Sequence, residues 1–179
     1  LIAPRVAALR AHHPALVLHL VGDKRVVSLH TREADLALRL VKPTEPELVT
    51  RRVGTFSFRL YGHRTYVAAT KPRDHAFVTF DASGADLPQH AWLERHAAGR
   101  PIVLRTNDLE SQIAAARAQV GIVVLPHYVA AAYPELVPVA TKLRPIKREL
   151  WRVMHEDLRA VPSVRAVTEF LDACTRGLT

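Results

Sequence analysis

From Ala76 to Pro126 the chain alternates between short apolar runs rich in β-branched and aromatic residues and segments of helical period. This alternation constrains the fold more than any other feature. AFVTFD, PIVLRT and GIVVLP read as strands, and LPQHAWLERHA and NDLESQIAAARAQ between them read as helices. Strands linked through helices return to their sheet in parallel, so the series is expected to form a βαβαβ lobe of its own.

The flanking sequence carries a second, less regular alternation. Ile2, Val6 and Leu9 share one face of a helix ending near His13-Pro14, and LVLHLV (16–21) follows as a β-rich run. KRVVSLHTRE reads as helical and DLALRL as a second buried strand, again implying parallel pairing. A crossover unit opens with a strand, whereas this chain opens with a helix and no methionine, so a further segment is expected upstream. Pro43 and Pro46 break the pattern, and ELVTRRVGTFSFRLYGH (47–63) reads as one or two extended, antiparallel segments around Gly54. HYVAAAYP is read as helical, with LVPVA and ELWRVMHE as strands after it. The last helix is expected from Pro162 to about Arg176, with Val164, Val167, Leu171 and Cys174 on one stripe, Pro162 in the first turn and Gly177 past the end. On pattern alone, two α/β lobes are joined through extended segments near 60–66 and 139–146.

Composition excludes several classes. A chain of 179 residues that is 49% hydrophobic, with no run of 18 apolar residues, is neither disordered nor built to cross a membrane as a helix. LIAPRVAALRAHHP lacks the pattern of a secretion signal, which leads to an expectation of the cytoplasm. The single cysteine, Cys174, rules out an intrachain disulfide or a cysteine metal cluster and is read as a small core residue. Lys plus Arg exceed Asp plus Glu by 25 to 17, a net +8 that favours acidic partners, yet the basic residues are dispersed. The densest stretch, KLRPIKRELWR (142–152), is read either as a solvated face or as a phosphate-contacting patch.

There is no HExxH, GxSxG, GxGxxG or P-loop, and with seven glycines no phosphate cradle is legible, so no metal and no cofactor is expected. His12 and His13 point in different directions at a helix end and are read as surface residues. HED at 155–157 is read as a turn, with a general acid-base cluster as the alternative.

Two places can hold a ligand. In a strand, Leu36, Leu38 and Leu40 share one face and Ala37, Arg39 and Val41 the other, which sets Arg39 near the carboxyl end of a parallel strand, where open sheets bind ligands. Its guanidinium suits a carboxylate; alternatively it pairs with Glu33, Asp35 or a loop carboxylate and holds the strand end. The second place is RTNDLES, where a strand ending at Arg105 or Thr106 turns into a helix that Asn107 and Glu110 can cap. The helix start attracts anions, and Asp108 and Glu110 offset that attraction.

Taken in order, READLALR, YGHRTYVAA, RTNDLESQIAAARAQVGIVVLP and ELWRVMHEDLRAVPSVRAVTEFL resemble the effector-binding domain of LysR-type transcriptional regulators over nearly the whole chain. The resemblance implies a two-lobed fold like that of periplasmic solute-binding proteins: 1–63 plus 143–179 as the first lobe, 64–142 as the second, two crossover segments, and a ligand cleft between. It also implies that a winged helix-turn-helix, a linker helix and the domain's first strand lie upstream. Arg39, Leu40 and Val41 and Arg105, Thr106 and Asn107 are then the effector-binding positions. Where the family reads Gly-Leu-Gly this chain has Gln119-Val120-Gly121, which puts Gln119 where glycine is cheaper.

The leading expectation is therefore a cytoplasmic ligand sensor, not an enzyme. It takes a small organic acid or amino acid, forms a homodimer or tetramer, and reaches DNA only through an N-terminal domain outside this sequence, with no membrane partner. Leu1, Ile2 and Trp92 are candidate dimer contacts, or else cover their own cores. The alternative is an extracytoplasmic solute-binding protein of a transporter; a third reading is an enzyme using His155 to Asp157.

Overall fold

A computed structural model of the chain describes residues 1–22, 34–84 and 86–178, and the helix expected over KRVVSLHTRE lies outside them. In chain order the elements are α1 (Val6–His12), β1 (Leu36–Arg39), β2 (Leu48–His63), α2 (Arg64–Ala69), β3 (Phe77–Phe80), α3 (Pro88–Ala97), β4 (Ile102–Thr106), α4 (Leu109–Arg117), β5 (Val123–Pro126), α5 (His127–Ala130), β6 (Leu136–Pro138), β7 (Ile146–His155) and α6 (Pro162–Thr175). They fall into two compact units, Leu1–Phe56 with Arg148–Thr179, and Ser57–Lys147. The 16-residue β2 belongs to both, since the unit boundary at Phe56/Ser57 falls inside it.

In the second unit the parallel series forms as the sequence predicts. β3 and β4 pair in parallel, with Phe80 opposite Thr106, and Phe77 bridges in parallel to Ile122 just before β5. β2 runs antiparallel to both β5 and β6. Successive residues of β3 point to opposite faces. Val78 packs with Ile113, Ala116, Val123 and Leu125, whereas Phe77 meets the His96 ring edge-on and lies under the Arg100 guanidinium.

The start and end of α4 set the local geometry of β4 and β5. Its N-cap is Asp108, not the expected Asn107: the Asp108 carboxylate accepts from Ser111 N at 2.7 Å, which holds that carboxyl below its ordinary range. Asp108 is one residue closer to the helix, where the carboxylate reaches the third helical amide. At the other end Gln119 N donates to Ala116 O and Val120 N to Ala115 O, each at 3.0 Å, and Gln119 takes φ +64°, the left-handed position at which glycine was expected to be cheaper. Gly121 then passes so close to the neighbouring strand that a Cβ there would stand 2.7 Å from Ala76 O.

In the first unit β1 pairs with β7, from Leu36 opposite Met154 to Arg39 opposite Trp151. This pairing is antiparallel and corrects the expected parallel strand: the partner comes from more than a hundred residues later, beyond the reach of a local crossover pattern. The strand expected at LVLHLV does not form either. No described strand pairs with 16–21, and Val17, Leu20 and Val21 are exposed, so the run has β composition without a ladder to join. Ile2, Leu171 and Cys174 form one core cluster, packed by Leu1, Leu36, Leu38 and Val167; Leu48 and Val153 form another. Cys174 is thus the core residue expected of it, and the α6 stripe faces inward as predicted.

One charged residue is embedded in this unit. Arg152 on β7 is 6% exposed, and its Nε lies 3.2 Å from Asp172 Oδ1 on α6, while Arg51 Nη1 on β2 sits 3.1 Å from the other oxygen. HED at 155–157 is the turn it was read as, a 3-10 turn over Glu156–Leu158 with His155 Nδ1 3.3 Å from Asp157 Oδ2.

Two sets of variants test these local constraints by urea denaturation. Gly121→Ala is expected to cost about 2 kcal/mol or more by forcing β3 and β5 apart, whereas Gln119→Gly is expected to add about 1 kcal/mol by relieving the left-handed residue. Asp108→Ala should lower the denaturation midpoint and Asn107→Ala leave it unchanged; the reverse order would return the cap to Asn107.

Candidate functional site

The carboxyl end of β1 is fastened by side chains from β7 and from the loop that follows β1. Arg39 is 14% exposed on its side chain, and its Nη1 lies 3.8 Å from Glu45 Oε1, a loop carboxylate of the kind foreseen as its structural partner. Glu45 is fixed in turn, since its Oε2 accepts from Thr44 N at 2.8 Å. Arg148 Nη2 donates to Leu40 O at 3.3 Å, and Lys42 Nζ stands 5.3 Å from the centre of the Trp151 ring. Val41 is 69% exposed at the middle of this segment. Three cationic side chains, Arg39, Lys42 and Arg148, thus belong to or are bonded to the stretch 39–42, which suits it to an anion. Lys42 and Arg148 were not picked out from sequence. Arg148 sits in the basic run 142–152, whose spacing gave no sign that one of its members reaches back to Leu40.

In the second unit the parallel pair β3 and β4 ends at Phe80 and Thr106, and here the rule that ligands gather at carboxyl ends of parallel strands has its geometry. Thr106 Oγ1 donates to Asp108 Oδ2 at 3.0 Å, Thr106 O accepts from Asp81 N at 3.0 Å, and Asn107 is exposed beside them. Arg105 is 47% exposed on its side chain, and its Nη2 lies 3.2 Å from Glu94 Oε1 on α3. The same oxygen is 3.4 Å from His90 Nε2, and His90 Nδ1 is 3.2 Å from Thr79 Oγ1, so Arg105 ends a polar chain running from the buried strand β3.

Thr79, Gln89, His90 and Gln112, among others, pack around a gap at this strand end that is too small to admit a water molecule. Gln89 Oε1 and Gln112 Nε2 are buried without a hydrogen-bond partner among the described residues, one an acceptor and one a donor. Sequence reasoning missed both glutamines, because a lone Gln on a helix reads as a solvated residue. The only available signal was their position within otherwise apolar helix faces, PQHAWL and SQIAAA.

The remaining candidates lie elsewhere. Trp92 is 4% exposed and buried in its own unit, and Ile2 with Leu1 packs against α6, so these three already cover local cores. The large apolar residues that stay exposed are others, among them Val17, Leu20, Val21, Val103 and Leu104. His12 and His13 are exposed, as expected. Among the described residues no three His, Cys, Asp or Glu side chains are placed to hold a metal, and no helix is long and apolar enough to cross a membrane.

Comparison with known proteins supplies the family. The model of the LysR substrate binding domain matches residues 1–175. The Mau operon transcriptional activator of Paracoccus denitrificans is 25% identical over 169 residues, covering 94% of this chain; the chain spans 58% of that protein's length. Among solved structures, the regulatory domain of CrgA, a LysR-type transcriptional regulator from Neisseria meningitidis, superposes with a TM-score of 0.75 at 20% identity, covering 97% of this chain and 91% of that one. The CcmR regulatory domain of Synechocystis PCC6803, solved in complex with 2-PG, superposes with a TM-score of 0.64 at 20% identity, covering 84% of this chain and 77% of that one. With two α/β units in the periplasmic-binding-protein-like manner and a family match over almost its full length, the chain belongs to the LysR substrate-binding domain family.

Proposed function

We propose that this chain is the ligand-sensing regulatory domain of a cytoplasmic LysR-type transcriptional regulator and that its effector is a small organic acid or amino acid. The observation that carries the reading is the family match over residues 1–175; the structural relative solved with 2-PG supports ligand sensing. An anionic effector is favoured by the gathering of Arg39, Lys42 and Arg148 at the segment 39–42. The effector contacts we assign are Arg39, Leu40 and Val41 in the first unit and Arg105, Thr106 and Asn107 in the second. DNA contact is assigned to the part of the longer protein outside this chain.

The sensing step needs no chemistry. A ligand shifts an equilibrium between two arrangements only by the difference in its affinity for them, commonly about 1–3 kcal/mol. That difference reaches DNA through self-association, which we place on the apolar residues left exposed: Val17, Leu20 and Val21 after α1, and Val103 and Leu104 on β4, which pairs along one edge with β3 and leaves the other uncovered among the described residues.

A thermal-shift panel of organic acids and amino acids tests the effector. A true effector at about 100 times its Kd adds roughly 2.7 kcal/mol, or about 5 to 10 °C for a chain of this size. Arg39→Ala is expected to abolish that shift while the variant still folds, with a ligand-free Tm lowered by the loss of its contact to Glu45; an effector that shifts the variant equally removes Arg39 from the site. Sedimentation should show a dimer that Val103→Lys converts to monomer without loss of helix signal. A monomeric wild-type chain would end the self-association reading.

A further inference from the structure

The chain returns from the second unit to the first between Lys147 and Arg148. Just before that point, Thr141–Arg144 lies between β6 and β7 and belongs to neither strand. Two α3 side chains one helical turn apart hold it. Trp92 Nε1 donates to Arg144 O at 2.9 Å, and His96 Nδ1 lies 2.9 Å from Thr141 Oγ1, which also accepts from Leu143 N at 3.1 Å. The two rings stack on each other, with centroids 6.1 Å apart and planes 14° from parallel. We propose that Trp92 and His96 form an acid-released clasp on Thr141–Arg144, so that protonating His96 frees the stretch through which the chain leaves the second unit.

The hydrogen-bond roles favour the neutral ring. With the proton on Nε2, His96 Nδ1 accepts the Thr141 hydroxyl proton while Thr141 Oγ1 accepts Leu143 N–H, and both donors are used. A proton on Nδ1 turns the ring into a second donor to the same oxygen and leaves the hydroxyl without its acceptor.

The surrounding charges act in the same direction. The Arg100 guanidinium is anchored to the carbonyls of Pro72, His96 and Ala97 and lies over Phe77, so it cannot retreat from an imidazolium. His75, from the segment before β3, is a second imidazole near His96, and Lys142 and Arg144 are cations within the clasped stretch itself. Asp74, beside His75, acts in the opposite direction on that neighbouring ring. Burial first, then Arg100, then His75 hold His96 below the ordinary histidine range; His75 is lowered too, chiefly by burial. For a histidine lowered in the folded state, the released form binds more protons, so the clasp holds at neutral pH and weakens as pH falls through and below the ordinary histidine range.

Hydrogen exchange of the full chain at about pH 7.5 and about pH 5.5, corrected for intrinsic rates, reads the clasp at the Leu143 amide. Protection is expected to fall by roughly tenfold in acid, the factor that one pH unit of differential proton affinity supplies. His96→Gln, which keeps a hydrogen-bonding amide without titrating, should hold protection constant across the two conditions. Unchanged protection in the wild type, or an equal acid loss in His96→Gln, overturns the proposal. Should that variant not fold, the wild-type His96 ring is followed by NMR: it must titrate below the ordinary histidine range, and titration within that range also overturns the proposal.

Discussion

The architecture of the first unit depends on a buried arginine. Arg152 sits opposite Leu38 in the β1–β7 register and projects toward α6, where Asp172 meets it at 3.2 Å while also receiving Arg51 from β2. Three elements, β7, β2 and α6, therefore converge on one carboxylate. Removing an ion from water costs several kcal/mol, and a buried pair repays that only while both members stay in place. Burial weakens the proton affinity of Arg152, while Asp172 partly restores it, so the charge is kept by its partner. The apolar stripe of α6 packs against the core, and the Arg152–Asp172 ion pair adds a charged contact between α6 and β7.

The two candidate segments differ electrostatically although both looked like anion sites in the sequence. At 39–42 the cations Arg39, Lys42 and Arg148 lie close to Glu45, a backbone carbonyl and an aromatic ring. At the β4–α4 turn, Asp108 occupies the helix amides itself, so α4 offers an outside anion little of its dipole. What that turn presents instead is neutral hydrogen-bonding capacity, from Thr106 and Asn107.

Much of the second unit was legible because its elements are local: each strand of the 76–126 series leads through a helix to the next, and period and capping residues mark each piece. The first unit was less so. DLALRL reads as a buried strand and forms a half-buried one, and its direction is set by β7, which no local pattern reveals. LVLHLV has strand composition, but composition does not create a hydrogen-bonding neighbour. At the site, Arg39 and the RTNDLES turn stood out because charge at a strand end and a strand-to-helix turn are patterns of spacing. Gln89, Gln112, Lys42 and Arg148 did not, because their significance arises only when separate elements pack.

The first unit is discontinuous in sequence, built from Leu1–Phe56 and Arg148–Thr179, whereas the second is one uninterrupted stretch. During synthesis the ribosome therefore delivers every residue of the second unit before β7 and α6 exist. Until α6 emerges, Ile2, Leu36 and Leu38 lack the α6 residues Val167, Leu171 and Cys174 with which they pack. The second unit can complete its parallel pairing early, while the first must close a loop spanning the whole of its neighbour before its core is dry. The nascent chain thus carries an uncovered apolar surface for the time needed to translate 57–171, a window in which chaperones and proteases compete with α6 for the same residues.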